Sequence, residues 1–342
     1  MGARECIIPV FVPNLGCPNE CVFCNQRRIS GSLRSAAPED VRKEIEDSAA
    51  LAPSGTKRQL AFYGGSFTAI PAEQQEALLG AAQPYLKSGF LSAIRLSTRP
   101  DAIDGAVLSR LRRFGVETVE LGAQSMDDGV LALSGRGHTA GDVEVAARQV
   151  KAAGFQLILQ MMTGLPGSTD ASDVETARRI AALHPDGVRI YPTVIVRDTV
   201  LYDQWRAGLY REHTVEDAVR VCAALVPIFR VAGIPIIRLG LNPTDELSGG
   251  DAAAGAYHPA LGELVRSRIL LHRAEELLSP VAPGSAVTIT VARGLTSQMI
   301  GQHGCNRRAL TERFGLASLK IVEKDSISGE DEILSVAISG KM

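Results

Sequence analysis

Three cysteines stand within eight residues in Cys17-Pro18-Asn19-Glu20-Cys21-Val22-Phe23-Cys24, directly after a short apolar run at Ile7–Val12. Three closely spaced thiolates suit three irons of a 4Fe–4S cubane and leave the fourth iron without a protein thiolate. A structural zinc site normally takes four protein ligands, and the next histidine in the chain is His138. The spacing therefore favours an iron–sulfur cluster with one open iron over a zinc site.

The rest of the composition is that of an ordinary globular protein. The 342 residues include 36 Lys and Arg against 38 Asp and Glu, a net charge of −2, and 45% are hydrophobic. This balance excludes a disordered or disulfide-dense chain and indicates no general affinity for nucleic acid. No run approaches the ~18 apolar residues of a membrane helix, and Cys6–Val12 lacks the basic leader of a signal peptide. We therefore expect a cytoplasmic protein with no membrane partner, whose cysteine cluster binds metal rather than forming disulfides.

Short β-branched runs alternate with amphipathic helical stretches over the first 240 residues. This alternation predicts a parallel sheet, because each crossover between parallel strands needs a helix. Six such units in a row predict an α/β fold, a partial (β/α)6 TIM-like barrel with ligands at the carboxyl ends of its strands. The predicted strands are Ile7–Val12, Gln59–Tyr63, Ala93–Ser97, Thr118–Leu121, Gln156–Met161 and Gly187–Pro192, with one more at Ile234–Leu239. The predicted helices are Glu39–Ala50, Ala72–Leu86, Ala102–Phe114, Ala140–Ala153, Ser172–Leu183, Thr214–Val231 and Leu261–Leu278.

The cysteine spacing resembles the CxxxCxφC signature of the radical S-adenosylmethionine (SAM) superfamily, with Phe23 as the aromatic φ. The resemblance implies that Cys17, Cys21 and Cys24 hold a 4Fe–4S cluster and that SAM binds the open iron near Phe23. In that family, one electron passed through the cluster cleaves SAM and yields a 5′-deoxyadenosyl radical. The resemblance also implies a reductase or a flavodoxin- or ferredoxin-type electron donor as a partner.

A second part of the superfamily pattern follows the second predicted strand. Tyr63-Gly64-Gly65-Ser66-Phe67 stands where the family carries a GGE-like segment that binds the methionyl amine of SAM. Ser66 replaces the usual Glu, so we expect Gly64, Gly65 and Ser66 to bind the cofactor through backbone carbonyls. Glycine lets a ligand approach the main chain closely. On its own, a glycine pair at a strand end is more typical of a turn.

A longer resemblance, from Ser97 to Pro243, is to the radical SAM core of the catalytic subunit of Elongator, which modifies the wobble uridine of transfer RNA (tRNA). It implies an RNA substrate, above all tRNA. Residues after this core do not resemble the acetyltransferase domain of that family, so acetyl-CoA chemistry is not expected. The matching segments include Thr98-Arg99-Pro100-Asp101, Glu120-Leu121-Gly122-Ala123-Gln124-Ser125, Arg136-Gly137-His138-Thr139, Leu165-Pro166 and Tyr191-Pro192-Thr193-Val194.

Polar residues at the ends of the predicted strands are the further candidates for SAM binding. Ser97 ends the third strand, and Gln124 follows the fourth, where it is expected to hydrogen-bond the cofactor ribose or the substrate. Arg136, in a segment similar to the LGR-x-H of coproporphyrinogen dehydrogenases, is expected to pair with the methionyl carboxylate through its guanidinium fork. Gln124 and Arg136 are therefore also the catalytic candidates. A packing role suits His138 as well as a catalytic one, and Gln160 is expected in the core.

The sequence divides into a radical SAM core over 1–243, a linker with a connecting helix over 244–283, and a small C-terminal α+β module over 284–342. The strand–helix–helix–strand–strand pattern of the module resembles a KH-type RNA-binding unit, in which a GXXG loop clamps the nucleic-acid backbone. Gly301-Gln302-His303-Gly304 matches that loop, and Arg307 and Arg308 follow it. We expect these six residues to bind RNA, although a turn between two helices would use the same glycines.

Two other functions fit parts of the sequence. A radical SAM enzyme could act on a small molecule such as a tetrapyrrole, as coproporphyrinogen dehydrogenases do, but that reaction has no use for a KH-like module. A non-catalytic iron–sulfur protein could sense RNA rather than modify it. Formation of 5′-deoxyadenosine from SAM under reducing conditions separates an enzyme from a sensor.

We predict that anaerobically reconstituted protein holds one 4Fe–4S cluster and that Cys24→Ala loses it, because the three-cysteine motif has no spare thiolate. Cys222→Ala is the control and should keep the cluster, since Cys222 lies alone in an apolar helical stretch. Iron and sulfide content measure the outcome. Tight binding of one zinc without iron would contradict the prediction.

Overall fold

The computed structural model describes residues 5–12, 17, 21–25, 36–51, 56–241, 250–324 and 333–339. The chain forms two compact units, residues 1–257 and 258–342. This division differs from the predicted boundaries at 243/244 and 283/284, because the helix that was predicted as a connecting element packs inside the second unit.

A parallel sheet of seven strands forms the first unit. Its strands are β1 (Glu5–Phe11), β2 (Lys57–Tyr63), β3 (Ala93–Thr98), β4 (Val116–Gln124), β5 (Gln156–Thr163), β6 (Gly187–Pro192) and β8 (Ile236–Leu239), with a separate pair, β7 (Val194–Val196) and β9 (Ala252–Gly255). The order in the sheet is β1-β2-β3-β4-β5-β6-β8, and every neighbouring pair is parallel. The predicted α/β partial barrel is confirmed, with the strand expected near 234–239 as its seventh member.

Helices return the chain between successive strands. They are α1 (Pro38–Leu51), α2 (Ala72–Lys87), α3 (Gly105–Arg113), α4 (Asp128–Leu133), α5 (Ala140–Ala152), α6 (Asp170–Ala182), α7 (Val200–Arg206) and α8 (Val215–Val231). Capping boxes at Thr139, Thr169 and Thr214 begin α5, α6 and α8, each stabilising its helix by about 1 kcal/mol. Gly115 and Gly154 follow α3 and α5 in the left-handed conformation that ends a helix. Within the described ranges, no helix is long and apolar enough to cross a membrane.

Contacts between distant strands show that the sheet is curled. Arg189 on β6 donates from Nη2 to the phenol oxygen of Tyr63 on β2 at 3.1 Å. Three strands separate β2 from β6, so in a flat sheet the two would lie about 19 Å apart. An arginine and a tyrosine cannot reach across that distance, and therefore they meet across the concave face of a half-barrel.

The two short strands β7 and β9 lie outside the predicted pattern. They pair antiparallel, with Ile195 opposite Ala254. The sequence predicts a loop or linker over Asp245–Gly255, and this is wrong for Ala252–Gly255. That segment has no strand pattern of its own and becomes a strand because it supplies hydrogen bonds to the buried Val194–Val196. Residues 242–249 lie outside the described part of the chain.

The loop that follows β5 packs tightly against a histidine. Gly164 has a φ of +72°, and a Cβ there would lie 2.1 Å from the His213 ring. Tyr210 donates its hydroxyl proton to the Gly164 carbonyl at 2.6 Å, and the Gly164 N–H donates to Asp173 at 3.0 Å. The loop is thus held on both sides of a glycine that has no room for a side chain.

The second unit is a three-stranded sheet with helices packed on one face. Its elements are α9 (Leu261–Leu278), β10 (Ala286–Ala292), α10 (Thr296–Ile300), α11 (Cys305–Arg313), β11 (Ser318–Lys324) and β12 (Ile333–Ser339). The order is β11-β10-β12, with β11 parallel and β12 antiparallel to β10. Alternate residues of β10, Val287, Ile289 and Val291, pack with Leu270 of α9 and Leu310 of α11. The strand–helix–helix–strand–strand order is the predicted one.

We predict that Gly164→Ala destabilises the protein more than Gly208→Ala. The two glycines have φ angles of +72° and +73°, so both changes carry the left-handed penalty of about 1–2 kcal/mol. A Cβ at Gly208 meets nothing within 4 Å, whereas one at Gly164 collides with His213, which adds about 1–3 kcal/mol. Urea unfolding gives both free energies of unfolding. Equal losses would contradict the tight packing at Gly164.

Candidate active site

A cavity of about 500 Å³ opens at the carboxyl ends of the parallel strands. This is the edge at which the alternation of strands and helices predicts ligands. The lining includes most of the residues that the sequence singled out for the cluster and the cofactor, namely Cys17, Gly64, Gly65, Ser66, Ser97, Gln124 and Arg136. Residues far apart in sequence are thus brought to one place.

The three cysteines of the motif are free thiols beside this cavity. Cys21 is buried, with 9% of its surface exposed, and Cys17 and Cys24 are half-buried. The Cys24 N–H donates to the Cys21 carbonyl at 2.9 Å and closes a turn. The Cys17 sulfur lies 3.3 Å from the Ser66 hydroxyl, so the residue that replaces the family's usual glutamate touches the cysteine motif.

The turn that carries Cys21 and Cys24 is anchored on both sides. The N–H of Val22 donates to the Ser134 carbonyl at 3.1 Å, and the Val22 carbonyl accepts from the Leu201 N–H at 2.7 Å. Phe23, expected near SAM, packs with Leu201 against the buried Ile195. Of the described residues, those that line the cavity do not include Phe23.

The end of β2 leaves the main chain open to the cavity. Gly64 has a φ of +88°, a conformation that other residues rarely adopt. Ser66 is 5% exposed and precedes a short 3₁₀ turn at Phe67–Ala69, whose Thr68 hydroxyl lies 2.6 Å from that of Thr98 on β3. The glycine segment is therefore fixed to the neighbouring strand as well as to the cysteine motif.

Gln124 ends β4 in a strained conformation. Its φ is +64°, and within the described ranges its buried Oε1 has no hydrogen-bond partner. Strained backbone and an unpartnered buried oxygen at a cavity are typical of a ligand site. A Cβ at Gly122 would lie 2.9 Å from the Gln124 amide nitrogen and 3.3 Å from Arg136. Glycine at this position thus lets Gln124 and Arg136, the two predicted cofactor residues, lie close to the main chain.

Arg136 is held by contacts at both its guanidinium and its backbone. Its Nη2 donates to the Gly122 carbonyl at 2.8 Å, and its Nη1 lies 3.5 Å from the Cys21 sulfur. The carbonyl of Arg136 accepts from Nη2 of Arg99 at 2.8 Å. Arg99 is 2% exposed and pairs with Asp101, so it braces the loop that carries Arg136.

His138 supports the same loop rather than lining the cavity. Its Nε2 lies 3.2 Å from the Ala123 carbonyl, and 5% of the residue is exposed. Burial, followed by the positive charge of Arg136, lowers the pKa of His138 to about 4. The ring is therefore neutral at pH 7, and its Nε2–H donates to Ala123.

The floor of the cavity is a charged network that no local sequence pattern indicates. Glu120, fully buried on β4, accepts from Arg189 Nε at 2.8 Å, from Gln160 at 3.2 Å and from the Tyr63 hydroxyl at 3.0 Å. Arg95 on β3 adds an ion pair at 3.3 Å. Burial and the Glu120 charge raise the pKa of Tyr63, so its phenol stays protonated and donates.

Gln160 was expected in the core, and the structure places it on the cavity floor. It also reaches Ser97, with its amide 3.4 Å from that hydroxyl. One sequence feature could have indicated this polar floor, namely charged residues inside the strands. Arg95, Glu120 and Arg189 each occupy a strand position where a packed barrel carries branched apolar residues. Only the curl of the sheet reveals that these side chains meet.

The GXXG segment of the second unit forms the turn between α10 and α11. Gly301 has a φ of +78°, and a Cβ there would lie 2.6 Å from the Cys305 sulfur. Gln302 and His303 are exposed at the tip. Arg308 donates from Nη1 to the His303 carbonyl at 2.8 Å, while Arg307 is exposed beside it. The glycines are therefore required by the turn itself, whatever the loop binds.

Comparison with known proteins identifies the family. The model of the radical SAM superfamily matches residues 11–180, and that of the radical SAM C-terminal domain matches residues 185–270. The chain belongs to the radical SAM superfamily. Its half-barrel and the position of its cysteine motif at the carboxyl end of β1 are those expected of a radical SAM enzyme.

The relatives of known name match this chain over only part of their own length. Human Elongator complex protein 3 is 30% identical over 231 residues, 59% of this chain and 42% of that protein. The tRNA uridine(34) acetyltransferase of Dehalococcoides mccartyi is 34% identical over 166 residues, 45% of this chain and 36% of that protein. The chain thus spans about two-fifths of the length of these relatives. The archaeal Elp3 of Methanocaldococcus infernus, solved with an N-terminal deletion, has the same fold, with a TM-score of 0.61 and 22% identity over 81% of this chain and 63% of that one.

The residues present fit the 4Fe–4S cluster and SAM that a radical SAM family implies. Among the described residues, no three His, Cys, Asp or Glu side chains lie close enough together to bind one metal ion. A cubane needs no such convergence, because each of its cysteines binds a different iron. The Gln124 oxygen, buried without a partner among the described residues, and the Arg136 guanidinium beside Cys21 suit a polar ligand next to the cysteines.

We predict that Glu120→Gln costs about 3–5 kcal/mol of stability, because it removes a fully buried carboxylate from the half-buried Arg95 and Arg189. The control is Glu76→Gln, since Glu76 is 42% exposed and pairs with Arg113 at the surface, where a pair contributes about 0–1 kcal/mol. Chemical denaturation measures both free energies of unfolding. A loss at Glu120 no larger than that at Glu76 would show that the network is not structural.

Proposed function

We propose that this radical SAM enzyme modifies RNA, with tRNA as its substrate. The observation that carries the proposal is the 34% identity, over 166 residues, to a tRNA uridine(34) acetyltransferase. The similarity to Elongator complex protein 3 over 231 residues supports the same substrate class.

The residues around the cavity would divide the work of holding the cofactors. Cys17, Cys21 and Cys24 would hold the 4Fe–4S cluster, and the cluster and SAM together would supply a 5′-deoxyadenosyl radical. The main chain at Gly64–Ser66 would accept hydrogen bonds from the methionyl amine. The Arg136 guanidinium would pair with the methionyl carboxylate.

Gln124 would complete the cofactor site through its side-chain oxygen. That oxygen is buried without a described partner and therefore gains a hydrogen bond when a ribose hydroxyl reaches it. The cavity floor below, with Gln160 and Tyr191 in its lining, would receive a base. A base must leave its stack to enter such a site, which is least costly in a single-stranded loop.

The second unit would hold the RNA backbone in the manner of a KH module. Gln302 and His303 are exposed at the tip of the GXXG turn, and Arg307 is exposed one helical turn away. A loop whose glycines keep side chains away from the main chain, beside a basic residue, suits a phosphate backbone. Arg308 would contribute by fixing the His303 carbonyl, since its guanidinium is already bonded there.

The chemistry requires a reducing environment and an electron source. We place the protein in the cytoplasm, where thiols stay reduced and tRNA is present. A flavodoxin- or ferredoxin-type protein, or a reductase, would deliver one electron to the cluster.

We predict that tRNA binds the cluster-loaded protein and that changing Gln302 and His303 together to Asp lowers its affinity at least tenfold, because two carboxylates repel phosphate. The matched control changes both residues to Asn, which also tolerates the φ of +52° at His303. Filter binding at two salt concentrations and anaerobic formation of 5′-deoxyadenosine from SAM are measured together.

SAM cleavage should survive both double changes, and tRNA affinity should fall with rising salt. If the Asp pair binds tRNA as well as the Asn pair, the KH-like proposal is wrong. If the wild-type protein cleaves SAM and binds no tRNA, a small-molecule substrate replaces RNA. Tight tRNA binding without any 5′-deoxyadenosine would instead indicate a sensor.

A further inference from the structure

The segment from Ser134 to Arg136 contacts the cysteine motif at two successive residues. The Ser134 carbonyl accepts from the Val22 N–H at 3.1 Å, and Nη1 of Arg136 lies 3.5 Å from the Cys21 sulfur, within hydrogen-bond range for sulfur. Cys21 and Arg136 are each 9% exposed. A buried guanidinium therefore faces a buried cysteine that belongs to the cluster motif.

The guanidinium is held in that position by groups outside the motif. Nη2 of Arg136 donates to the Gly122 carbonyl at 2.8 Å, which fixes the plane of the fork. Arg99 donates to the Arg136 carbonyl at 2.8 Å and is itself 2% exposed. The orientation of Arg136 toward Cys21 is thus set by β4 and by the loop after β3, independently of any cofactor.

An arginine N–H aimed at a cluster thiolate has a known physical consequence. Reduction adds negative charge to an iron–sulfur cluster, and hydrogen bonds to its sulfurs together with nearby positive charge stabilise the reduced form. In a site shielded from water this stabilisation is larger than at a surface, because the effective dielectric is lower.

We propose that Arg136 is a positioning residue of the cluster: it donates to the Cys21 thiolate and raises the reduction potential of the 4Fe–4S centre before SAM binds. The same guanidinium can serve the methionyl carboxylate through other N–H groups, since it has five. The proposal rests on the cluster that the radical SAM family implies, and it does not depend on the substrate being RNA.

The test is an EPR-monitored redox titration of the full-length, cluster-loaded protein in the absence of SAM. Arg136→Met removes the donor and the charge, and Arg136→Lys keeps the charge without the fork. Arg178→Met is the control, because Arg178 is 64% exposed and pairs with Glu175 of the same helix. At the wild-type midpoint, the ratio of reduced to oxidised cluster should fall about tenfold in Arg136→Met, which is ~59 mV for one electron. The midpoint potential of Arg136→Lys should lie between those of the wild type and Arg136→Met, and the midpoint potential of Arg178→Met should equal that of the wild type.

A midpoint that is unchanged in Arg136→Met without SAM, together with weaker SAM binding, would overturn the proposal and leave Arg136 as a cofactor ligand only. A second measurement covers the case in which the variants do not fold. Wild-type protein labelled with ¹⁵N-arginine should show a nitrogen coupling to the reduced cluster by electron–nuclear double resonance. Absence of that coupling would also overturn the proposal. Both measurements are made without RNA. Their outcome is therefore independent of whether tRNA is the substrate, which the tRNA-binding experiment tests.

Discussion

Glu120 places a carboxylate with no exposed surface inside the curled sheet, where arginines from β3 and β6 and a tyrosine from β2 meet it. Removing these charges from water costs several kcal/mol per ion, and only close pairing with further hydrogen bonds offsets that cost. The network is satisfied only when distant strands approach one another. The curl of the sheet and the polar floor of the cavity therefore depend on the same carboxylate, and a barrel packed with branched apolar residues would leave no such cavity.

The rim of the cavity is made of loops, yet each loop is tied to a strand or to another loop. The cysteine turn is anchored through Val22 to Ser134 and Leu201, and the loop after β4 is braced by Arg99. Catalytic geometry requires groups held by their surroundings rather than by their own chain segment. In this protein the support comes mainly from main-chain hydrogen bonds and buried arginines, and Gly122 lets Gln124 and Arg136 lie close to the main chain.

The second unit shows why a glycine motif alone is a weak sign of nucleic-acid binding. Gly301 is required because the turn between α10 and α11 has a positive φ and no space for a Cβ. The proposal of RNA contact rests instead on the exposed residues at the tip and on Arg307. The two requirements act on different residues of one loop, so folding and recognition can be separated by substitution.

Local signals in the sequence were enough to recognise the superfamily and the order of strands and helices, because cysteine spacing, hydrophobic period and helix caps involve neighbouring residues. The same signals predict Cys17, Cys21 and Cys24 as the cluster ligands. The sequence also identified Gln124, Arg136 and the Gly64–Ser66 segment as a group. Three features became visible in the folded chain alone: Gln160 lies on the cavity floor, Ala252–Gly255 pairs as a strand, and Arg136 faces Cys21. Each of these rests on contacts between residues dozens of positions apart, and the curl of the sheet, which no local pattern encodes, brings those residues together.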